Sequence, residues 1–116
     1  MTRIPVAFDL KDGFVHVKGV VFLDGDDVVI ETARTLLQLV PVGKRTFRIP
    51  ADEVESIEVQ TPFVKATKLV LRLFAFSFVA GFPGDPADEV VLPIARKHRE
   101  AAESFARAVR LRNLPR

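Results

Sequence analysis

The chain has 116 residues, a net charge of +2, 48% hydrophobic residues and no cysteine. That length fits one domain, residues 1–116, and is short for two; the lack of cysteine excludes disulfides and thiolate metal sites and fits a reducing compartment. Residues 1–13 hold one early Arg with no apolar run behind it, unlike a signal peptide, and the longest apolar stretch, residues 73–82, falls short of the about 20 residues that a spanning helix needs.

Residues 14–24, rich in Val and Phe, read as a strand. Asp24-Gly25 is a hairpin signal, after which Val28, Val29 and Ile30 resume the β pattern. The β-prone run 28–40 is broken by Pro41-Val42-Gly43-Lys44, read as the turn that sends the chain back. Arg45, Phe47 and Ile49 then alternate with Lys44, Thr46 and Arg48. Pro50-Ala51-Asp52-Glu53 reads as a turn. Ile57 and Val59 alternate with Ser56, Glu58 and Gln60, which marks a half-buried strand ended by Thr61-Pro62.

The next strand begins near Ala66. Its odd positions, Leu69, Leu71, Leu73, Ala75 and Val79, with Ser77 among them, form an aliphatic face. Its even positions run Lys68, Val70, Arg72, Phe74, Phe76 and Phe78, and Phe82 continues the series. Side chains alternate across a strand, so one straight strand would turn three phenylalanines away from the aliphatic face. A bulge near Phe74 would instead return them to the core. Pro83-Gly84-Asp85-Pro86 is a loop, and residues 89–92 make a short strand. Pro93 suits a first helical turn, and Ile94, Ala101, Ala102, Phe105 and Val109 share one face at helical steps. Asn113 and Pro115 mark the stop. The expectation is strands within about residues 5–92 and one C-terminal helix over about 94–112.

Charge is uneven along this plan. From residue 93 onward seven cations (Arg96, Lys97, Arg99, Arg107, Arg110, Arg112, Arg116) face two carboxylates (Glu100, Glu103), which is 7 − 2 = +5 and leaves −3 for the remainder. A basic helix on an acidic body could meet an anionic surface. Equally, late arginines complement a helix dipole, and Arg96/Glu100, Arg99/Glu103 and Glu103/Arg107 stand at pairing distance along a helix.

Hairpins in succession closed by one helix is the order of a pleckstrin-homology-like domain. The segment Arg48-Ile49-Pro50-Ala51-Asp52-Glu53-Val54-Glu55-Ser56-Ile57-Glu58-Val59 resembles the I-P-x-x-(D/E)-(I/V)-x-x-I stretch of small bacterial domains of that type. Lys68-Leu69-Val70-Leu71-Arg72-Leu73 is similar to the strand that follows. Residues 101–109 resemble the closing helix, with Phe105 as its plug. The resemblance implies a mainly β fold, a partly open antiparallel barrel or pair of orthogonal sheets capped by the helix. It implies no particular ligand, since one fold hosts many functions. The first clear hairpin, Leu23-Asp24-Gly25-Asp26-Asp27, is acidic and departs from the basic hairpin of phosphoinositide-binding relatives. Bacterial relatives resemble self-associating or scaffold modules.

No catalytic or metal constellation emerges. Asp24, Asp26 and Asp27 are explained by turn chemistry and lack the further oxygen ligands of a calcium loop. His16 and His98 are far apart in sequence and read as packing residues. Ser56, Ser77 and Ser104 stand in no nucleophile elbow, and no glycine-rich phosphate loop is present. Without Tyr or Trp, the pattern does not favour nucleic acid. The sequence therefore reads as a non-enzymatic binding or scaffold module, cofactor-free and cytoplasmic. It is expected to self-associate or meet a protein partner through Phe74, Phe76, Phe78 and Phe82. The alternative is a peripheral membrane module in which Arg96, Lys97, Arg99, Arg107 and Arg110 contact anionic lipid.

Overall fold

The computed structural model describes residues 5–37, 39–61, 67–75 and 89–113. Two Asp-Gly steps fold the N-terminal half. Strand β1 (Val6–Asp12) turns at Gly13 into β2 (Val15–Asp24), which turns at Gly25 into β3 (Asp27–Leu36). Both glycines have positive φ, +64° and +62°, where a Cβ crowds the backbone. Strand β4 (Val40–Pro50) returns antiparallel to β3 and completes a four-stranded sheet in the order β1-β2-β3-β4. A single 3-10 turn (Ala51–Glu53) leads to β5 (Val54–Gln60), β6 (Thr67–Leu73) and β7 (Glu89–Ile94), a three-stranded antiparallel sheet. A second 3-10 turn (Arg96–His98) opens into α1 (Arg99–Arg112). The fold is mainly β, with two antiparallel sheets and one C-terminal helix, and among the described residues the ladders do not close into a barrel.

The alternating residues of both sheets meet in one core. Val17, Val21, Val28, Ile30, Ile49 and Phe47 come from the first sheet, and Leu69, Leu71, Leu73, Leu92 and Ile94 from the second. The odd positions of β6 are thus the core face read from the sequence. Helix α1 lays Ala102, Phe105, Ala106 and Val109 on that core, at steps of three and four residues, and packs mainly on β5. Burying a side chain such as Phe105 contributes roughly 1.5–3 kcal/mol.

Three boundaries differ from the sequence reading. The first hairpin is at Gly13-Phe14, not at Asp24-Gly25, because β1 is a regular strand with Val6 and Phe8 buried. The β3–β4 reversal falls between Leu36 and Val40, and Pro41-Val42-Gly43-Lys44 lies within β4. There Arg34 faces Gly43 while Thr35 faces Pro41, so the extra residue Val42 makes a bulge rather than a turn. Finally, Pro93 and Ile94 pair with Lys68 and Thr67 of β6, so the helix starts at Arg99 and Ile94 joins the core from a strand. A 14-residue helix makes about four turns.

Candidate functional site

Three surfaces bear on function. The phenylalanine segment begins where β6 ends: Phe74 is exposed and its N–H donates to the Glu53 carbonyl at 3.0 Å. Phe76, Phe78 and Phe82 lie outside the described residues.

The basic helix comes second. Arg96 and Lys97 are exposed in the 3-10 turn, ahead of the α-helix. Arg99, Arg107 and Arg110 are exposed on one side of α1, with Glu103 between them at helical spacing. Arg99 pairs with Glu103 at 3.2 Å, and Arg107 donates to Ser104 Oγ at 3.4 Å. Arg110 reaches across to the body and donates to the Ile57 carbonyl at 2.6 Å, while Asn113 donates to the Val54 carbonyl at 2.5 Å. A shallow groove of about 340 Å³ runs between Val59 and the Glu103, Ala106, Arg107 and Arg110 side of the helix. Much of the helix charge thus ties α1 to itself and to β5.

The acidic β2–β3 hairpin is likewise occupied. Arg48 on β4 donates to Asp24 Oδ2 at 2.7 Å and to Asp27 Oδ2 at 2.9 Å. The two hydrogen bonds, Asp24 first, raise the guanidinium pKa above its ordinary value. Arg112 donates to the Gly25 carbonyl at 2.8 Å and stands 3.9 Å from Asp26. His16 is buried and bonded through Nε2 to Asp9 Oδ1; His98 is half-buried at the N-cap of α1. Among the described residues, no group of three or more acidic or histidine side chains gathers as a metal site.

The third surface was not anticipated. At the far end of the four-stranded sheet the β1–β2 and β3–β4 reversals stand side by side, joined by the Leu37 N–H donating to the Phe14 carbonyl at 2.9 Å. Phe14 is 77% exposed, Leu37 61% and Leu39 83%; Leu36, Val40 and Val42 are exposed with them. A small pocket of about 280 Å³, lined by Lys11, Phe14, His16 and Leu37 among others, opens beneath. Leu37 has φ +54°, the left-handed region that disfavours a branched side chain. The sequence signal was residues 36–42, in which five of seven side chains are Leu or Val without alternation. A strand cannot hide such a run on one face, and an exposed run of apolar residues has a use or is a fault.

Among the described residues no helix is long and apolar enough to cross a membrane. No family model, curated protein or solved structure matches the chain.

Proposed function

We propose that the protein is a non-catalytic binding module whose contact surface is the apolar end formed by the β1–β2 and β3–β4 reversals. Leu37 carries the reading. A non-glycine residue in the left-handed region costs roughly 1–2 kcal/mol, and here the side chain so placed is a leucine lying mostly in water. Neither feature serves the core. The left-handed φ closes the β3–β4 turn, which glycine would close at less cost, so an exposed leucine kept there supports a contact surface. The four-plus-three strand order with a terminal helix supports a pleckstrin-homology-like architecture for this module.

The test needs no partner. Wild-type protein should be held on a phenyl matrix in ammonium sulfate. Leu37→Ser with Leu39→Ser should elute much earlier while melting near the wild-type temperature. Equal retention of the two would refute the reading.

A second reading, self-association through the segment that starts at Phe74, rests on the exposure of Phe74 itself. Light scattering decides it: Phe74→Ser should lower the solution mass, and a monomeric wild type refutes it.

A further inference from the structure

We infer that the apolar hairpin end docks on anionic lipid bilayers by shallow insertion, with a collar of cations behind it that meets the headgroups. This rests on the binding surface proposed above and names its partner.

The strand register sets the arrangement. Outermost are Leu37 and Leu39, then the pair Leu36 and Val40, then Thr35 and Pro41. The next three levels of the same ladder hold Arg34 opposite Gly43, Lys44 opposite Ala33, and Arg45 opposite Thr32. In the neighbouring hairpin Phe14 stands at the tip and Lys11, opposite His16, stands behind it. Side chains alternate across strands, so Lys11 and Lys44 lie on the outer face of the sheet while Arg34 and Arg45 lie on the core-facing side. The collar therefore surrounds the sheet. Lys11, Lys44 and Arg45 are exposed; Arg34 is half-buried, and Arg45 lies over the Phe47 ring at 4.9 Å.

Depth and charge select the partner. Three residues separate Leu36 from Ala33, the level of Lys44, which is about 10 Å at the rise of an antiparallel strand. Apolar surfaces that rest in a bilayer interface sink about 5–10 Å. With the tip at that depth, the lysine and arginine heads reach the phosphate level and their stems remain in apolar surroundings. Residues 10–17 and 32–47 together contain four cations (Lys11, Arg34, Lys44, Arg45) and one carboxylate (Asp12), a net charge of 4 − 1 = +3. Two copies meeting tip to tip would bring two positive collars together, which disfavours a second copy as occupant. An anionic bilayer supplies both an apolar layer for the leucines and negative charge for the collar. Recognition of this kind reads charge density and needs no particular headgroup.

The chain contains no tryptophan, so Leu39→Trp places a single fluorescent reporter at the tip. With vesicles of phosphatidylcholine plus phosphatidylserine, its emission should shift to the blue and be quenched by lipids brominated near the glycerol end of the acyl chain. Phosphatidylcholine alone should give a much weaker response. Sedimentation of the otherwise wild-type chain with the same vesicles should be lost in Leu37→Ser/Leu39→Ser. It should weaken about 25-fold in Lys44→Gln/Arg45→Gln, at about fivefold per cation removed. Lys44 and Arg45 are both exposed and outside the buried core, so the glutamine pair keeps the test decisive if the serine pair melts early. Equal binding of wild type and both variants would overturn the inference, as would binding abolished only by Arg107→Glu. No binding to either vesicle also overturns it; retention on the phenyl matrix then separates the two proposals. A wild type retained through Leu37 and Leu39 keeps the binding surface and points to a protein partner, whereas retention indifferent to them removes the surface as well.

Discussion

Replacing Gly19 with alanine tests the tightness of the four-stranded sheet at one atom. Gly19 lies midway along β2, opposite Phe8 on β1 and Thr32 on β3. A methyl built there would stand 2.1 Å from the Glu31 carbonyl oxygen and 2.6 Å from Phe8 Cζ. Non-bonded heavy atoms settle near 3.5–4.0 Å, so about 1.4 Å must be recovered against the carbonyl and about 1 Å against the ring. The carbonyl belongs to the β2–β3 ladder and has no rotamer to change. The Phe8 ring is buried in the core. Inserting one methylene into a packed core costs typically 1–3 kcal/mol, and an immovable backbone neighbour places Gly19→Ala at about 3 kcal/mol or above. A chain of this length has about 6–17 kcal/mol of stability. At about 4 °C per kcal/mol, the variant should melt about 12 °C lower. Thermal unfolding followed by far-ultraviolet circular dichroism measures the shift, and urea titration checks that the m-value is unchanged. Adding Phe8→Leu should not restore stability, because the carbonyl contact remains. A melting temperature within about 4 °C of wild type would refute the reasoning. So would full rescue by Phe8→Leu, which would assign the clash to the ring alone.

Phe105→Ala empties the main plug between helix and sheets and should cost about 3–5 kcal/mol, read from the urea midpoint. Leu37→Gly removes a side chain from a left-handed residue, so it should raise the melting temperature slightly while shortening retention on a phenyl matrix. A fall in melting temperature would refute the strain assigned there. Arg48→Gln breaks the exposed ion pairs to Asp24 and Asp27; its small deficit in melting temperature should shrink further in molar salt, and a deficit that grows with salt would show that the pairs are not its source.

The legible parts of the fold were those in which local chemistry and tertiary packing agree. Asp24-Gly25 marked a real reversal because glycine is what the positive φ there favours. Leu69, Leu71 and Leu73 marked the core because a central strand keeps its larger side chains inward. The same Asp-Gly signal stands at Asp12-Gly13, behind Val6, Phe8 and Leu10 alternating with Ala7, Asp9 and Lys11, so β1 and its hairpin are legible by the same rule as β2 and β3. The β3–β4 reversal was misplaced for a deeper reason. Its turn is made by a leucine in a conformation leucine avoids, whereas the nearby proline and glycine, the usual markers of a turn, mark an edge-strand bulge. The same conflict hides the apolar hairpin end, because residues 36–40 continue a β-prone run and read as strand interior. The helix start was likewise decided by pairing: β6 claims Pro93 and Ile94 before a helix can form. Which arginines of α1 remain available was also beyond the sequence, since Arg110 and Asn113 find acceptors some fifty to sixty positions earlier in the chain.

The grip of Arg110 and Asn113 on the carbonyls of Ile57 and Val54 has a consequence for the life of the protein in a crowded solution. Strand β5 lies at the border of its sheet, with β6 as its ladder partner. A bordering strand whose peptide groups are open is a template on which another chain can add. In the four-stranded sheet the bordering strand β4 is made a poor template by the missing N–H of Pro41, by its bulge and by Lys44 and Arg45. Strand β5 has no proline, its one register irregularity lies at its start between Val54 and Ser56, and the helix adds a safeguard from outside. Helix docking and resistance to fibril-like stacking are therefore one property. A lesion that merely loosens α1 should show itself as time-dependent clouding at temperatures where the sheets are still folded, with its onset set by the opening of the helix rather than by global unfolding.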